Sequence, residues 1–100
     1  MAVEKLTSQT FEQFIQSGTA VVDFYADWCG PCRMLAPIME SVAGERPDVL
    51  VAKVNVDENP GLASEFGVFS IPSLVVLKNG RVVNQAVGVR PKDQILSLLS

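Results

Sequence analysis

Histidine is missing from this chain of 100 residues. That absence excludes Ser-His-Asp and Cys-His nucleophile pairs, His-ligated zinc and c-type haem attachment together. Any chemistry must run on Cys, Asp, Glu, Lys, Tyr or backbone groups. No apolar run reaches the ~18 residues that suggest a membrane span. Positive charge is in short supply: 8 Lys and Arg against 11 Asp and Glu leave a net charge of −3. Without a basic cluster, binding to a phosphate backbone is not expected. The stretch from Met1 to Thr7 lacks the basic start and long apolar core of a signal peptide, so a cytoplasmic location is expected. Cysteine is scarce, with two residues. No repeat, low-complexity tract or linker interrupts the chain.

What is present reads as one globular unit. Hydrophobic residues make up 48%, which excludes a disordered chain. A chain of this length buries roughly two-thirds of its unfolded surface, enough for one core without metal or disulfide staples. A single domain over 1–100 is expected.

Hydrophobic periodicity sets out the elements. Val3 to Leu6 suits a short first strand, and a helix capped by Thr7 or Ser8 follows, with Phe11, Phe14 and Ile15 on one face and Gly18 at its end. Val21 to Ala26 is a near-continuous run of β-formers, the pattern of a central strand covered on both faces. From Cys32 to Gly44, Met34, Leu35, Ile38, Met39, Val42 and Ala43 recur at helical spacing, with Pro37 inside as a predicted kink. Val49 to Val56 is a second apolar strand. Asn59-Pro60 predicts a helix start with an Asn N-cap, Leu62, Ala63 and Phe66 facing inward, and Gly67 as the stop. Ser73 to Leu77 is a strand, Asn79-Gly80 a two-residue type I′ turn, and Val82 to Val87 the returning antiparallel partner. Pro91 opens a last helix carrying Ile95, Leu96 and Leu99. The order β-α-β-α-β, then α-β-β-α, predicts an α/β fold: a mixed sheet of about five strands with helices on both faces.

The two cysteines lie in Cys29-Gly30-Pro31-Cys32, between a buried strand and the first turn of a helix. Free backbone N–H groups and the helix dipole favour a thiolate at such a place. With Cys29 as cap, its sulfur can accept a hydrogen bond from the Cys32 N–H, while Pro31 costs little in a first turn. A disulfide between them closes a ring too small to add loop-closure stability, so a reversible dithiol explains the spacing better than a structural staple. A metal site would need about four ligands, and only a centre shared between chains would supply them. Two packed, inert cysteines remain an alternative. The setting beside Trp28, Gly30 and Pro31 predicts instead that Cys29 is exposed.

Asp23 interrupts its apolar strand and, by alternation, shares a face with Val21 and Tyr25. Burial there should raise its pKa and suit it to moving protons near neutrality. Lys53 interrupts the neighbouring apolar run in the same way. The alternatives are an Asp23–Lys53 ion pair without chemistry, or an Asp satisfied by water. For Ile71-Pro72, general frequencies favour a trans bond.

Taken in order, these residues resemble the thioredoxin family in its bacterial form, essentially end to end. Val22-Asp23-Phe24-Tyr25-Ala26 followed by Trp28-Cys29-Gly30-Pro31-Cys32 is similar to that family's active-site segment. Pro37, the segment Lys53-Val54-Asn55-Val56-Asp57, Ile71-Pro72-Ser73, Lys78-Asn79-Gly80 and Val87-Gly88 extend the likeness. Departures are Tyr25 in place of a second Trp, Arg33 for Lys, Ser73 for Thr, and Phe69 where Arg is frequent. The chain also stops at Ser100, slightly short, and its last helix is expected to fray.

The resemblance implies a thioredoxin fold, a cis Ile71-Pro72 bond in place of the trans one, and a general protein disulfide reductase. It implies Cys29 as exposed nucleophile, Cys32 as buried resolving thiol, Asp23 as proton acceptor for Cys32, and Lys53 as the group that tunes Asp23. Trp28, Gly30, Pro31, Ile71, Pro72, Gly88 and Val89 would form a flat apolar docking surface, where the backbone at Ile71 pairs with an extended target segment. It implies no bound cofactor: reducing equivalents come from NADPH through a flavoprotein thioredoxin reductase. The partners implied are that reductase and disulfide-containing target proteins, met by a monomer. Two rivals stand beside this reading. An oxidase or isomerase of the same fold is disfavoured by Gly30-Pro31, because oxidising relatives usually place a histidine between the cysteines. A binding module with incidental cysteines would keep its partners when both are replaced.

Overall fold

The computed structural model describes residues 3–100. Five strands, β1 (Val3–Leu6), β2 (Thr19–Tyr25), β3 (Leu50–Asn55), β4 (Ser73–Lys78) and β5 (Arg81–Val87), form one sheet in the order β1-β3-β2-β4-β5. β3 runs parallel to β1 and β2, and β4 runs antiparallel to β2 and β5. The long apolar run of β2 thus lies at the centre, flanked on both edges and covered on both faces.

Alternation along β2 divides the core in two. Ala20, Val22 and Phe24 face one layer with Val54, Val75 and Leu77, where α1 (Phe11–Phe14) contributes Phe11 and α3 (Pro60–Glu65) contributes Leu62. The Phe66 ring closes that layer, with centroids 5.2 Å from Phe11 and 6.0 Å from Phe24. Val21 faces the other layer with Leu35, Met39 and Val42 of α2 (Gly30–Glu45) and Ile95 of α4 (Lys92–Leu98). Asp23 lies on this second face, where it is the one charged side chain buried among the described residues.

Local details depart from the sequence expectations in instructive ways. The first helix is a single turn, because Thr7 and Thr10 form a turn of their own: the Thr7 amide donates to Thr10 Oγ1, and Thr7 carbonyl accepts from Thr10 and Phe11. Neither Thr7 nor Ser8 caps it. Asn59 does not cap α3 with its side chain; its Oδ1 accepts from the Ser8 amide and hydroxyl, and its Nδ2 donates to the Asn55 carbonyl. α2 begins at Gly30, two residues before the apolar periodicity. Met34 points outward at 65% exposure, since the inner face is already filled by Leu35, Met39 and Val42. The last helix is tied to its neighbours near both ends: Leu99 is buried, and Lys92 Nζ meets Glu45 Oε1 of α2 at 2.8 Å. The Asn79-Gly80 turn has the two positive φ angles, 52° and 81°, of a type I′ hairpin.

Candidate active site

β2 ends at Tyr25, and four residues later the chain turns into α2. Cys29 adopts an extended conformation (φ −91°, ψ 111°) and caps the helix. Its Sγ accepts the Cys32 amide hydrogen at 3.2 Å, as expected of a sulfur at a helix start. Pro31 lies in the first turn, where no hydrogen bond is lost. Cys29 and Cys32 form a disulfide, with Cα atoms 5.2 Å apart. Both sulfurs are thereby joined within one chain. Among the described residues, no group of three or more Cys, Asp or Glu is placed to hold a metal ion.

The expected exposure of Cys29 is not found in this disulfide form: Cys29 is 5% exposed and Cys32 4%. The bond holds both sulfurs against Ala26, with Tyr25, Val56 and Ile71 packed around them. Cys29 Sγ lies 3.9 Å from the Ile71 carbonyl. That carbonyl precedes a cis Ile71-Pro72 bond, as the family resemblance implied against general frequencies. The Gly88 amide donates to the Pro72 carbonyl at 2.8 Å, bringing the β5–α4 loop beside it. Gly88 has φ 95°, a conformation that disfavours a side chain.

The surface around the disulfide is uneven. Trp28 is 69% exposed, and its Nε1 donates to Asp57 Oδ2 at 2.7 Å. Pro31 and Val89 are exposed, Gly30, Ile71 and Gly88 half-buried, and Pro72 is buried beneath them. The sequence pattern gives Asp57 no role of its own. Its only local signal is the turn in which Asn55 Oδ1 accepts from the Asp57 and Glu58 amides. Nothing in a spacing of 29 residues points from Trp28 to it.

Behind the disulfide, a cleft of about 180 Å³ is lined by Asp23, Tyr25, Cys32, Arg33, Glu40 and Lys53, among others. Asp23 is 4% exposed, and its Oδ1 finds no hydrogen-bond partner. Burial pushes its pKa up to about 7, while the charge of Lys53 pulls the other way. Asp23 and Lys53 are register partners on adjacent strands, yet they form no ion pair. The sequence alternative of a closed Asp23–Lys53 bridge is therefore corrected. Lys53 Nζ instead stands 5.6 Å from the centroid of the Tyr25 ring, where a cation is attracted by the π face.

A disulfide-forming Cys-Gly-Pro-Cys pair at a helix start, on a mixed sheet between two helical layers, defines a thiol–disulfide oxidoreductase. The comparisons with known proteins refine that class. The family model described as Thioredoxin matches residues 2–100. The chain is 50% identical over 101 residues to a thioredoxin of Alicyclobacillus acidocaldarius, covering 99% of this chain and 96% of the relative. It is 47% identical over 102 residues to one from Staphylococcus haemolyticus, with the same coverage. Among solved structures, a mutant thioredoxin from Halobacterium salinarum superposes with a TM-score of 0.90 at 41% identity, covering 96% of this chain and 86% of that one. The chain belongs to the thioredoxin family. It is a protein disulfide reductase that works by dithiol/disulfide exchange at Cys29 and Cys32.

Proposed function

We propose that the chain works as a single domain over 1–100 in which Cys29 attacks and Cys32 resolves. In the reduced protein the Cys29 thiolate attacks one sulfur of a target disulfide. A Cys29–target disulfide forms, and the other target sulfur leaves as a thiolate that takes up a proton. Cys32, deprotonated by Asp23, then attacks Cys29 Sγ. The second target thiol leaves, the Cys29–Cys32 disulfide closes, and two electrons have passed to the target. The asymmetry rests on one observation: Cys29 Sγ receives the Cys32 amide hydrogen at the helix N-terminus, an arrangement that stabilises negative charge on Cys29. Cys32 lies one turn inside and lines the cleft it shares with Asp23. A carboxyl with a pKa raised to about 7 can accept the proton near neutrality, and Lys53 sets how readily it does so.

Targets dock on the apolar rim made by Trp28, Gly30, Pro31, Ile71, Pro72, Gly88 and Val89, with the Ile71 backbone pairing with an extended segment. No cofactor is bound in this reading. Electrons return from NADPH through a flavoprotein thioredoxin reductase, and the chain acts as a cytoplasmic monomer. The net charge of −3 supports protein targets rather than nucleic acid, and no described helix is long and apolar enough to cross a membrane. A structure concerned with thiol resolution in a yeast mitochondrial peroxiredoxin via glutathione and thioredoxin systems includes a similar chain (TM-score 0.88, 34% identity, 96% of this chain and 92% of that one). That supports a disulfide-bearing protein as target.

The test is a Cys32→Ser variant offered oxidised insulin. It should accumulate mixed disulfides through Cys29, while the parent protein with thioredoxin reductase consumes NADPH as insulin is reduced. Recovery of no covalent complex from a folded variant would remove Cys32 from the resolving role.

A further inference from the structure

A second cleft, of about 280 Å³, opens on the α3 side of the sheet, bounded by Gly67, Ser73, Gln85, Val87 and Arg90. It borders the docking rim, because Gly88 is tied to Pro72 and Arg90 follows Val89 directly. Phe69, at 92% exposure, stands in the loop just before the cis-proline. A target segment laid along Ile71 passes close to this cleft.

Arg90 is a cation without a counter-charge. No carboxylate lies within ion-pair distance of it among the described residues. One Nη donates to the Val87 carbonyl at 3.2 Å, and the other reaches Gln94 Oε1 only at 3.5 Å. The Nε–H is buried and meets no acceptor. A guanidinium carries five N–H donors in a fork that suits a carboxylate. Gln85, whose Nε2 is spent on the Phe66 carbonyl, brings no negative charge to the cleft. The Val87 anchor holds the fork in the cleft wall, so ordering it on binding costs little.

We propose that Arg90 is a specificity residue: its guanidinium receives the side-chain carboxylate of an Asp or Glu that flanks the reactive cysteine of a target protein. This rests on the docking reading above. It makes the chain a reductase that prefers acidic-flanked disulfides, a property distinct from the exchange chemistry at Cys29 and Cys32.

The experiment uses the reduced full chain and disulfide peptides carrying Glu or Gln at each of the positions near the cysteine. Second-order reduction rates are followed by Trp28 fluorescence. At one position Glu should exceed Gln by about 5-fold, the size of a partly exposed ion pair, and high salt should erase the difference. Arg90→Gln should bring that ratio to one, Arg90→Lys should retain part of it, and Arg90→Glu should turn the preference toward Lys-flanked peptides. Equal Glu and Gln rates at every position in the parent, or a ratio that survives Arg90→Gln, would overturn the proposal while leaving the reductase intact. Failure to reduce any peptide would instead overturn the exchange reading, and this inference with it.

Discussion

Asp23 concentrates the conflict between folding and chemistry. Its carboxyl is buried on the α2 face with one oxygen unpartnered, and its pKa is raised from 3.8 to about 7. A raised carboxyl pKa means that the folded state binds more protons than the unfolded chain. Stability therefore falls as pH rises from 3.8 to about 7, and the loss is complete above that. Asp23→Asn should stabilise the fold above pH 7 by on the order of 2–4 kcal/mol, with the gain vanishing in acid. On the proposed mechanism the same variant should slow the resolving step, because Cys32 would lose its base. Chemical denaturation across pH and single-turnover reduction measure the two effects. A variant both less stable and fully active would make Asp23 an ordinary structural residue. Lys53 supplies the complementary test: its charge favours ionised Asp23, so Lys53→Gln should move the pH midpoint of resolution upward. An unchanged or lowered midpoint would detach Lys53 from the site.

At the scale of elements, the active site depends on how loops are tied. Asn59 joins the loop before α1 to the β3–α3 turn through Ser8 and Asn55, rather than capping its own helix. It is buried, so Asn59→Ala leaves the Ser8 amide and the Asn55 carbonyl without these partners. A loss of about 1–3 kcal/mol is expected in urea denaturation. A mere N-cap would lose about 1 kcal/mol and would be largely restored by Ser or Asp. Ionised Asp has no donor for the Asn55 carbonyl, and the single, shorter hydroxyl of Ser does not span the two places that Oδ1 and Nδ2 of Asn59 occupy, so neither should rescue. The Trp28–Asp57 hydrogen bond is a similar tie, placing an exposed ring beside the disulfide through a contact between β2's loop and β3's.

Across the whole molecule, two apolar layers hold one sheet, and the redox pair stands at the end of the layer formed by α2 and α4. Ile95 is fully buried against that layer, and Lys92 ties α4 to Glu45. Ile95→Ala should cost about 2–5 kcal/mol and lower Tm by roughly 10–25 °C in calorimetry. Disulfide reduction well below the transition should be unaffected, because Ile95 touches neither cysteine's surroundings. A loss of activity in the folded variant would show that α4 packing also sets the geometry at Cys29.

The amino-acid sequence by itself determined the features that short-range physics controls. The apolar run of β2, the helical period after Cys32, the Asn79-Gly80 turn and the CxxC pair at a helix start all follow from neighbours a few residues apart. Asp23 as a buried carboxyl follows in the same way, since alternation in an apolar strand turns its side chain to the same covered face as Val21. Tertiary structure decided everything that required distant residues to meet. Asn59 could turn away from its helix because Ser8, 51 positions earlier, offered better donors. Lys53 settled over Tyr25 instead of bridging to Asp23, because adjacent strands set register without aiming side chains at each other. Met34 fell on the outer face once Leu35, Met39 and Val42 had filled the inner one. Cys29 became buried through Ile71, 42 residues away, although the helix start alone suggested exposure. Local pattern sets which groups can be present, and only packing decides which of them touch.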